Sequence, residues 1–331
     1  IKTQLKLRLG VDSLPEDFGR LVRLQAQDLL ARKCDADLSA LESSDKERSV
    51  FKKEGQDMML KKLIKACIFA VSLPEFSAEA TTLLTNTCKH LTILELGRSL
   101  AEMRQKTLPF DVKSGEGPLC IDSRVLGDAI VECLSSDMPA VREAAQGAIK
   151  EVYDTTATIF GSNTEIYRLS FFGYLSSLFC HNCYEEEWFS KAGGSLGIHY
   201  LITEINLGDA WVQDRQIEFV KALMYVIKDM PPDLPAKTRR GAQDTLELLL
   251  HRCSKNASKD DLQLPAPTQS GPQPRPSKLY QLCAFLNVEL CHMNRHVREA
   301  TKRSLEIISK ELGAEIHELL EPSKDRCIQP I

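Results

Sequence analysis

Two apolar stripes separated by a proline-containing turn, between residues 126 and 152, constrain the fold of this chain more than any other feature. Both stripes repeat every three or four residues, which is the period of one face of a helix. They consist of Leu126, Ile130, Cys133 and Leu134 before the turn, and of Val141, Ala144, Ala145, Ala148, Ile149 and Val152 after it. Pro139 suits the first turn of a helix because its φ is already helical, and Ser136 or Asp137 can cap that helix. The pattern therefore predicts two helices joined by a short turn.

The same register returns near the end of the chain. There it consists of Val297, Ala300, Thr301, Ser304, Leu305 and Ile308. The stretch from Asp137 to Ala145 resembles the signature of HEAT repeats, in which the turn acid and the arginine tend to pair between neighbouring repeats. The last repeat departs from this signature, with Met293 in place of the acid and Arg295 in place of the proline. Two copies in one register predict a repeat scaffold.

Composition agrees with a fold made of helices alone. Aromatic residues are few, at 6%, and charged residues make up 27%, which is the balance of stacked amphipathic helices. A sheet would be indicated by sustained period-two alternation or by an Asn-Gly or Asp-Gly turn, and the sequence contains neither. We therefore predict an all-α, HEAT-like α-solenoid, in which five antiparallel helix pairs follow an opening helix.

Proline, glycine and polar residues mark the boundaries along the chain. We expect residues 1–52 to hold a first helix, opened by Pro15, and a polar insertion from Asp35 to Lys52. A helix pair should follow in 53–104, a linker in 105–120, and three HEAT-like pairs in 121–254. An exposed, mobile, Pro-rich linker in 255–277 should then lead to a last pair with a short tail in 278–331. Because the chain begins at Ile1 and not at methionine, we expect it to be a piece of a longer protein.

The eleven cysteines show no disulfide framework, and most lie on predicted apolar stripes, where a free thiol packs as a small hydrophobe. This favours a reducing compartment, and no apolar run is long enough to cross a bilayer. Cys180 and Cys183 have the spacing of half a zinc site, but no second ligand pair is evident, although Cys291 and His292 are a conceivable remote pair. We predict no metal and no cofactor.

No motif supports catalysis, so we do not expect an enzyme. Gly193 to Gly197 loosely resembles a phosphate-binding loop, but no strand precedes it. We place it inside a helix from about Glu185 to Asn206, opened by three glutamates and packed closely through its glycines. The face predicted to be inward consists of Phe189, Ala192, Gly193, Leu196, Gly197 and Tyr200.

The second half of the chain also resembles a known family. The residues that carry this resemblance are Cys183 to Gly194 with Gly197-Ile198, Phe219 to Leu223, Asp244 to Glu247, Val297-Arg298 to Leu305, and Glu321 to Lys324. These segments are similar to the TRRAP family, the giant pseudokinase scaffolds related to phosphoinositide-3-kinase-like kinases. The resemblance implies a HEAT-repeat segment of a nuclear transcription coactivator subunit, shared by SAGA-type and other histone acetyltransferase complexes, that receives transcriptional activators.

The partners implied by this resemblance are other complex subunits and disordered, acidic activation domains, with no direct nucleic acid, membrane or small-molecule substrate expected. Their docking site should offer cations beside exposed apolar grooves. The candidate partner-binding residues are Lys237, Arg239, Arg240, Arg295, Lys302 and Arg303. A solvated face is the alternative reading of these charges, which lack the interleaved aromatics of a nucleic-acid site. The alternative function is a HEAT-repeat nuclear transport receptor of the importin type.

Overall fold

The computed structural model of this chain describes residues 45–104, 124–160, 166–229, 236–263 and 275–323, and all regular structure in these ranges is helical. The α-helices are α1 (Asp45–Val71), α2 (Ser77–Arg104), α3 (Arg124–Leu134), α4 (Pro139–Phe160), α5 (Ser170–Tyr184), α6 (Trp188–Thr203), α7 (Asp209–Asp229), α8 (Ala236–Ser254), α9 (Lys278–Glu289), α10 (Arg295–Leu312) and α11 (Ile316–Leu320). Short 3-10 helices span Ile166–Arg168, Lys259–Leu262 and Glu321–Ser323. None of the described helices has the length and apolar character that crossing a bilayer requires.

The chain divides into two compact units, and the division falls inside α5. The first unit holds residues 1–161 and 168–175, and the second holds 162–167 and 176–331. In the first, α1 packs against α2 and α3, and α4 packs against α1, α2 and α3. In the second, α8 packs against α6, α7 and α10, while α9 packs against α7 and α10. Consecutive helices thus form pairs that stack on their neighbours, and the predicted all-α, HEAT-like solenoid fold is confirmed.

The turn before α4 shows how the founding repeat is built. The stripes of α3 and α4 are buried as predicted, except that Ala144 is half-buried. α4 begins at Pro139, and the Ser136 hydroxyl accepts from the backbone N–H of Met138. Arg142 Nη1 donates to the carbonyl of Ser136 at 2.7 Å. The arginine of the Val-Arg pair therefore stabilises the turn of its own repeat.

The last repeat has the same construction. All six residues of its predicted stripe are buried in α10. Arg298 Nη1 donates to the carbonyls of His292 and Met293, each at 2.7 Å. Asn294 takes the capping position, where its side chain accepts from the backbone N–H of His296 at 2.9 Å. The helix ends at Gly313, whose φ of 60° lies in the left-handed region that glycine adopts without strain.

The pairing of turn acid and arginine between neighbouring repeats, which is typical of HEAT repeats, is not formed at these positions among the described residues. Both arginines contact carbonyls of their own turns, and Asp137 forms no ion pair with any residue that the structure describes. Neighbouring turns of the second unit are joined differently. Lys191 Nζ lies 3.0 Å from Asp229 Oδ2, and Asn294 Nδ2 donates to the carbonyl of Lys228 at 2.9 Å.

The expectation for the polar insertion near the start of the chain is wrong in part. The insertion predicted to run from Asp35 to Lys52 is helical from Asp45 onward, because its lysines, glutamates and arginine are good helix formers. The opening helix at Pro15 and the linker of residues 105–120 lie outside the described residues. The division of the chain into six stretches otherwise remains a prediction.

The predicted Pro-rich linker is ordered at both ends. Leu262 is buried, and Ser258 and Asp261 form a capping box around a 3-10 turn. The Ser277 hydroxyl donates to the carbonyl of Asp261 and also caps α9. Residues 264–274 at the centre of the linker lie outside the described part of the chain. Most described residues of these flanks are exposed, as predicted, but Leu262 and the capping side chains have partners.

The predicted tail also contains structure that the sequence analysis missed. Helix α11 is a single short turn with its own capping box, formed by Glu315 and Glu318. Leu319 within it is fully buried, and its carbonyl accepts from Asn287 Nδ2 at 3.0 Å. This turn packs against α9 and α10. The tail therefore covers apolar surface of the last helix pair.

Helix α6 confirms one interpretation and corrects another. The glycines lie inside the helix, and a Cβ on Gly194 would come within 2.6 Å of the Phe179 carbonyl oxygen, so they permit close packing against α5. The predicted inward face is wrong in part, however, since Gly193 and Gly197 are buried but Phe189 is exposed and Ala192, Leu196 and Tyr200 are only half-buried. The buried residues of α6 are Lys191, Gly193, Gly194, Ser195, Gly197, Ile198, Leu201 and Ile202. The contact with Phe179 sets this rotation, because only a glycine face can meet that ring.

The glutamates predicted to open this helix lie before it. α6 begins at Trp188, and Glu187 is its N-cap residue without a side-chain capping bond. Glu185 instead pairs with His181 at the end of α5, with Nε2 and Oε1 3.0 Å apart. The three carboxylates therefore belong to the turn between α5 and α6.

Candidate partner-binding site

The structure brings two of the predicted basic groups together on the second unit. Arg239 and Arg240 lie in the first turn of α8, Arg303 lies in the middle of α10, and these two helices pack against each other. The three arginines line a cleft of about 220 Å³, here called the cationic cleft. Its lining consists of Arg239, Arg240, Gln243, His296, Glu299, Ala300 and Arg303. Residues that are distant in sequence thus place their charges around one volume.

Contacts within the cationic cleft hold two of the guanidinium groups in place. Arg239 Nη1 lies 3.4 Å from His296 Nε2, which acts as the acceptor when the imidazole is neutral. Arg303 Nη1 lies 3.5 Å from Glu247 Oε1 on α8. Arg240 is exposed and forms no ion pair within the described ranges. A bound carboxylate would therefore meet Arg240 directly and would compete with Glu247 for Arg303.

The charge balance at the cationic cleft favours anions. Its carboxylate, Glu299, accepts a hydrogen bond from Arg295 Nε at 2.7 Å. This hydrogen bond, together with the positive charges of Arg295 and Arg303, lowers the pKa of Glu299 below its usual value. Glu299 is consequently ionised at neutral pH and already neutralised by Arg295, while Arg239 and Arg240 supply positive charge for a ligand.

A second cleft, of about 290 Å³, continues the groove between α8 and α10 and shares Arg303 with the first. Its lining consists of Glu247, His251, Arg303, Glu306, Ile307 and Lys310. His251 Nδ1 lies 2.9 Å from Glu311 Oε1. This cleft carries both signs of charge and an apolar side chain, Ile307. It offers a path for a ligand that extends beyond the cationic cleft.

The other predicted cations are not gathered at these clefts. Arg295 and Lys302 lie on the outer side of α10 and form ion pairs within that helix. Arg295 pairs with Glu299, and Lys302 Nζ lies 4.0 Å from Glu306 Oε1. Lys237 lies in α8, but its side chain is outside what the structure describes. Exposed apolar surface near the site comes from Met293, whose side chain is 96% exposed in the turn before α10. The groove is more polar than the predicted docking site.

His296, Gln243 and Glu247 also line the groove, and sequence reasoning missed them. A signal for them exists, since they continue the three- and four-residue spacing of the basic residues along α8 and α10. Spacing along one helix, however, does not reveal which face meets the neighbouring helix.

The remaining sequence candidates, Cys180 and Cys183, lie near the end of α5, where Cys183 is buried and Cys180 is half-buried. Burial, with a smaller contribution from Glu218, raises the pKa of the Cys180 thiol to about 12, and burial raises that of Cys183 well above its usual value. Both are therefore protonated at neutral pH, whereas metal binding needs thiolates. In the part of the chain that the structure describes, no three His, Cys, Asp or Glu residues are grouped to hold a metal ion.

Comparison with known proteins places this architecture in a family. The family model described as the Tra1 HEAT repeat ring region matches residues 1–331. The SAGA complex/NuA4 acetyltransferase complex subunit TRA1 of Saccharomyces cerevisiae is 28% identical over 289 residues, which cover 87% of this chain and 7% of that protein. The corresponding Tra1 subunit of Schizosaccharomyces pombe is 26% identical over 278 residues, covering 83% of this chain and 7% of that protein.

The human transformation/transcription domain-associated protein is 27% identical over 208 residues, which cover 62% of this chain and 5% of that protein. The chain thus spans less than a tenth of the length of these relatives. The resemblance to the TRRAP family is confirmed over the whole chain, beyond the second half in which its motifs were found. The chain belongs to the Tra1 HEAT repeat ring family.

Proposed function

We propose that this chain is a noncatalytic scaffold segment of a transcription coactivator subunit in histone acetyltransferase complexes of the SAGA or NuA4 type. Its stacked helix pairs offer extended surface for protein partners. Relatives named as subunits of the SAGA and NuA4 acetyltransferase complexes support this assignment. On this proposal the chain acts in the nucleus and binds other subunits of its complex.

We further propose that the segment receives acidic, disordered activation domains at the cationic cleft. The observation that carries this step is the convergence of Arg239, Arg240 and Arg303 from two helices on one cleft. Acidic side chains of a peptide would pair with these guanidinium groups, and its apolar side chains would contact Ile307 or Met293. Because the contacts are exposed and largely ionic, binding should be weak, fast and sensitive to salt.

The importin-type transport receptor is the less favoured alternative. The relatives reported above are named for acetyltransferase complexes or for transcription, and the whole chain matches the Tra1 ring model. A transport receptor would also be expected to bind a Ran-type GTPase. Absence of such binding, in a pull-down with the GTP-loaded GTPase, is the expected result.

The binding proposal is tested by charge reversal in the groove. A fluorescein-labelled peptide of alternating acidic and leucine residues is titrated with the parent chain at low and near-physiological salt. The double variant Arg239→Glu/Arg240→Glu should weaken binding about tenfold, which corresponds to about 1.4 kcal/mol. The variant Lys302→Glu/Arg303→Glu should weaken it as well, since Arg303 lines both clefts.

The matched control is Lys62→Glu/Lys150→Glu, which makes the same change of charge at two exposed lysines that line neither cleft. This variant should bind like the parent, apart from a small non-specific loss at low salt. Equal affinity of all three variants, or no binding by the parent, would refute the docking site. The fragment would then serve to space or assemble its complex.

A noncatalytic scaffold should also hold no stoichiometric zinc and hydrolyse no ATP. Elemental analysis of the purified chain and a phosphate-release assay test both expectations. One zinc per chain that disappears in a Cys180→Ser/Cys183→Ser variant would contradict the first. ATP hydrolysis that copurifies with the chain through two separation steps would contradict the second.

A further inference from the structure

The turn between α5 and α6 exposes three aromatic side chains, Tyr184, Trp188 and Phe189, which are together called the aromatic turn here. These side chains are 44%, 39% and 39% exposed. The rings of Trp188 and Phe189 pack edge to face, with centroids 6.0 Å apart. Large aromatic side chains grouped on a surface mark interaction sites, where they supply much of the contact area and binding energy.

The backbone of this turn is fixed by a buried lysine from α6. Lys191 Nζ donates to the carbonyls of Glu185 and Glu186, and its ion pair with Asp229 joins the turn to the end of α7. The Tyr184 ring also packs on the Tyr225 ring of α7, with centroids 4.9 Å apart. The aromatic turn is therefore ordered before any partner arrives, which lowers the entropic cost of binding.

The charges beside these rings indicate which partner fits. Glu185 is paired with His181, but Glu186 and Glu187 are exposed and form no ion pair with other described residues. Exposed carboxylates next to aromatic faces attract lysine and arginine, through ion pairs and through cation–π contacts. An acidic segment would meet like charges at Glu186 and Glu187.

We propose that the aromatic turn docks a basic segment of a partner protein, in which lysine or arginine side chains alternate with apolar ones. Glu186 and Glu187 pair with the cations, while Trp188 and Phe189 contact the apolar side chains and the faces of the guanidinium groups. The surface is separate from the cationic cleft in its residues and opposite to it in charge. It does not rest on the function proposed above.

The test uses the whole chain and a synthetic peptide of alternating arginine and leucine residues. Of the two tryptophans, Trp211 is buried, so Trp188 is the accessible fluorophore. Saturating peptide should protect Trp188 from quenching by acrylamide. A peptide in which glutamine replaces every arginine should protect it less, and a peptide of alternating glutamate and leucine should not protect it.

Two variants locate the contacts. Glu186→Gln/Glu187→Gln should weaken binding of the arginine peptide about fivefold to tenfold, given the strength of exposed ion pairs. Glu143→Gln/Asp154→Asn removes two exposed carboxylates from α4 and should leave the affinity unchanged. Neither change alters a buried residue, and circular dichroism should confirm that both variants are folded.

Four results would overturn the proposal. The first is equal affinity of the two double variants for the arginine peptide, and the second is quenching of Trp188 that the arginine peptide does not change. The third is equal binding of the arginine and glutamine peptides, and the fourth is tighter binding of the glutamate peptide. If sedimentation instead shows self-association of the parent that Trp188→Gln abolishes, the occupant is a second copy of the chain and the basic segment is rejected.

Discussion

Lys191 Nζ and Asp229 Oδ2 lie 3.0 Å apart, although only 1% of the lysine side chain is exposed, against 49% of the aspartate side chain. Burying an ammonium group costs free energy unless it is paired and hydrogen-bonded. Here two backbone carbonyls of the α5–α6 turn and one carboxylate of α7 satisfy it. The charge on Lys191 therefore serves to connect two neighbouring turns.

Replacement of this lysine tests that role. Lys191→Met keeps the apolar stem but removes the ammonium, and it should lower stability by about 1–3 kcal/mol because three polar contacts are lost. Thermal melting followed by circular dichroism should show a lower Tm. Lys255→Met, at an exposed lysine, is the control and should melt like the parent. A Lys191→Met variant that melts at the parent temperature would show that the contacts contribute nothing net.

The glycines of α6 and α8 should respond oppositely to alanine. A Cβ at Gly197 would come within 2.4 Å of the buried Phe179 ring, so Gly197→Ala should cost about 1–3 kcal/mol through forced repacking. Gly241 in α8 has nothing within 4 Å of the corresponding position, so Gly241→Ala should stabilise by about 0.5–1 kcal/mol through helix propensity. Denaturant unfolding measures both. A Gly197→Ala variant that is as stable as the parent would contradict the close approach of α5 and α6.

A charge at the repeat stripes should be poorly tolerated. Val141 and Val297 are buried in their repeats, and an aspartate at either position would bury an unpaired carboxylate at a cost of several kcal/mol, about 3 or more. Val288 provides the matched control, because it is more than half exposed on α9. Its change to aspartate should shift the melting temperature little. Unchanged melting of Val141→Asp and Val297→Asp would refute the register of both repeats.

The signature repeats were predictable because their information is local. In α10 the apolar residues stand out against charged neighbours, so period alone identifies the buried face. In α6 nearly every residue is apolar or small, so the period alone does not identify the buried face. Contact with Phe179 decides it, and that ring belongs to another helix. The burial of Lys191 likewise depends on Asp229 in α7, and the cationic cleft depends on how α8 meets α10.

The Asn294 side chain caps α10 and also contacts the Lys228 carbonyl, and two variants separate these two contributions to stability. Asn294→Ala should cost about 1 kcal/mol, typical of a lost N-cap, and more if the bond from its Nδ2 to the Lys228 carbonyl also contributes. Asn294→Asp keeps the capping oxygen but loses the donor. If the cap dominates, thermal melting of the aspartate variant should stay close to the parent. A loss equal to that of the alanine variant would assign the stability to the contact with Lys228.

Thiol reactivity should separate the described cysteines. Burial raises the pKa of Cys67 to about 11, and that of Cys283 to about 12. At pH 8 only about one in a thousand to one in ten thousand of such thiols is a thiolate, the form that alkylates. Cys291 is exposed, so iodoacetamide followed by peptide mapping should find it modified first. Equal labelling of Cys283 and Cys291 in the folded chain would show that the last repeat opens readily.

The bonds of Arg142 and Arg298 have a consequence for how such a chain can change over evolution. Each guanidinium group donates to carbonyls in the turn that precedes its own helix. A duplicated or deleted hairpin therefore carries this part of its turn stabilisation with it, whereas the contacts of Lys191 with Asp229 and of Asn294 with Lys228 couple the turns of adjacent hairpins. The arginine bond is thus a local device that survives a change in the number of hairpins, while the bonds between turns must be matched again at each new junction.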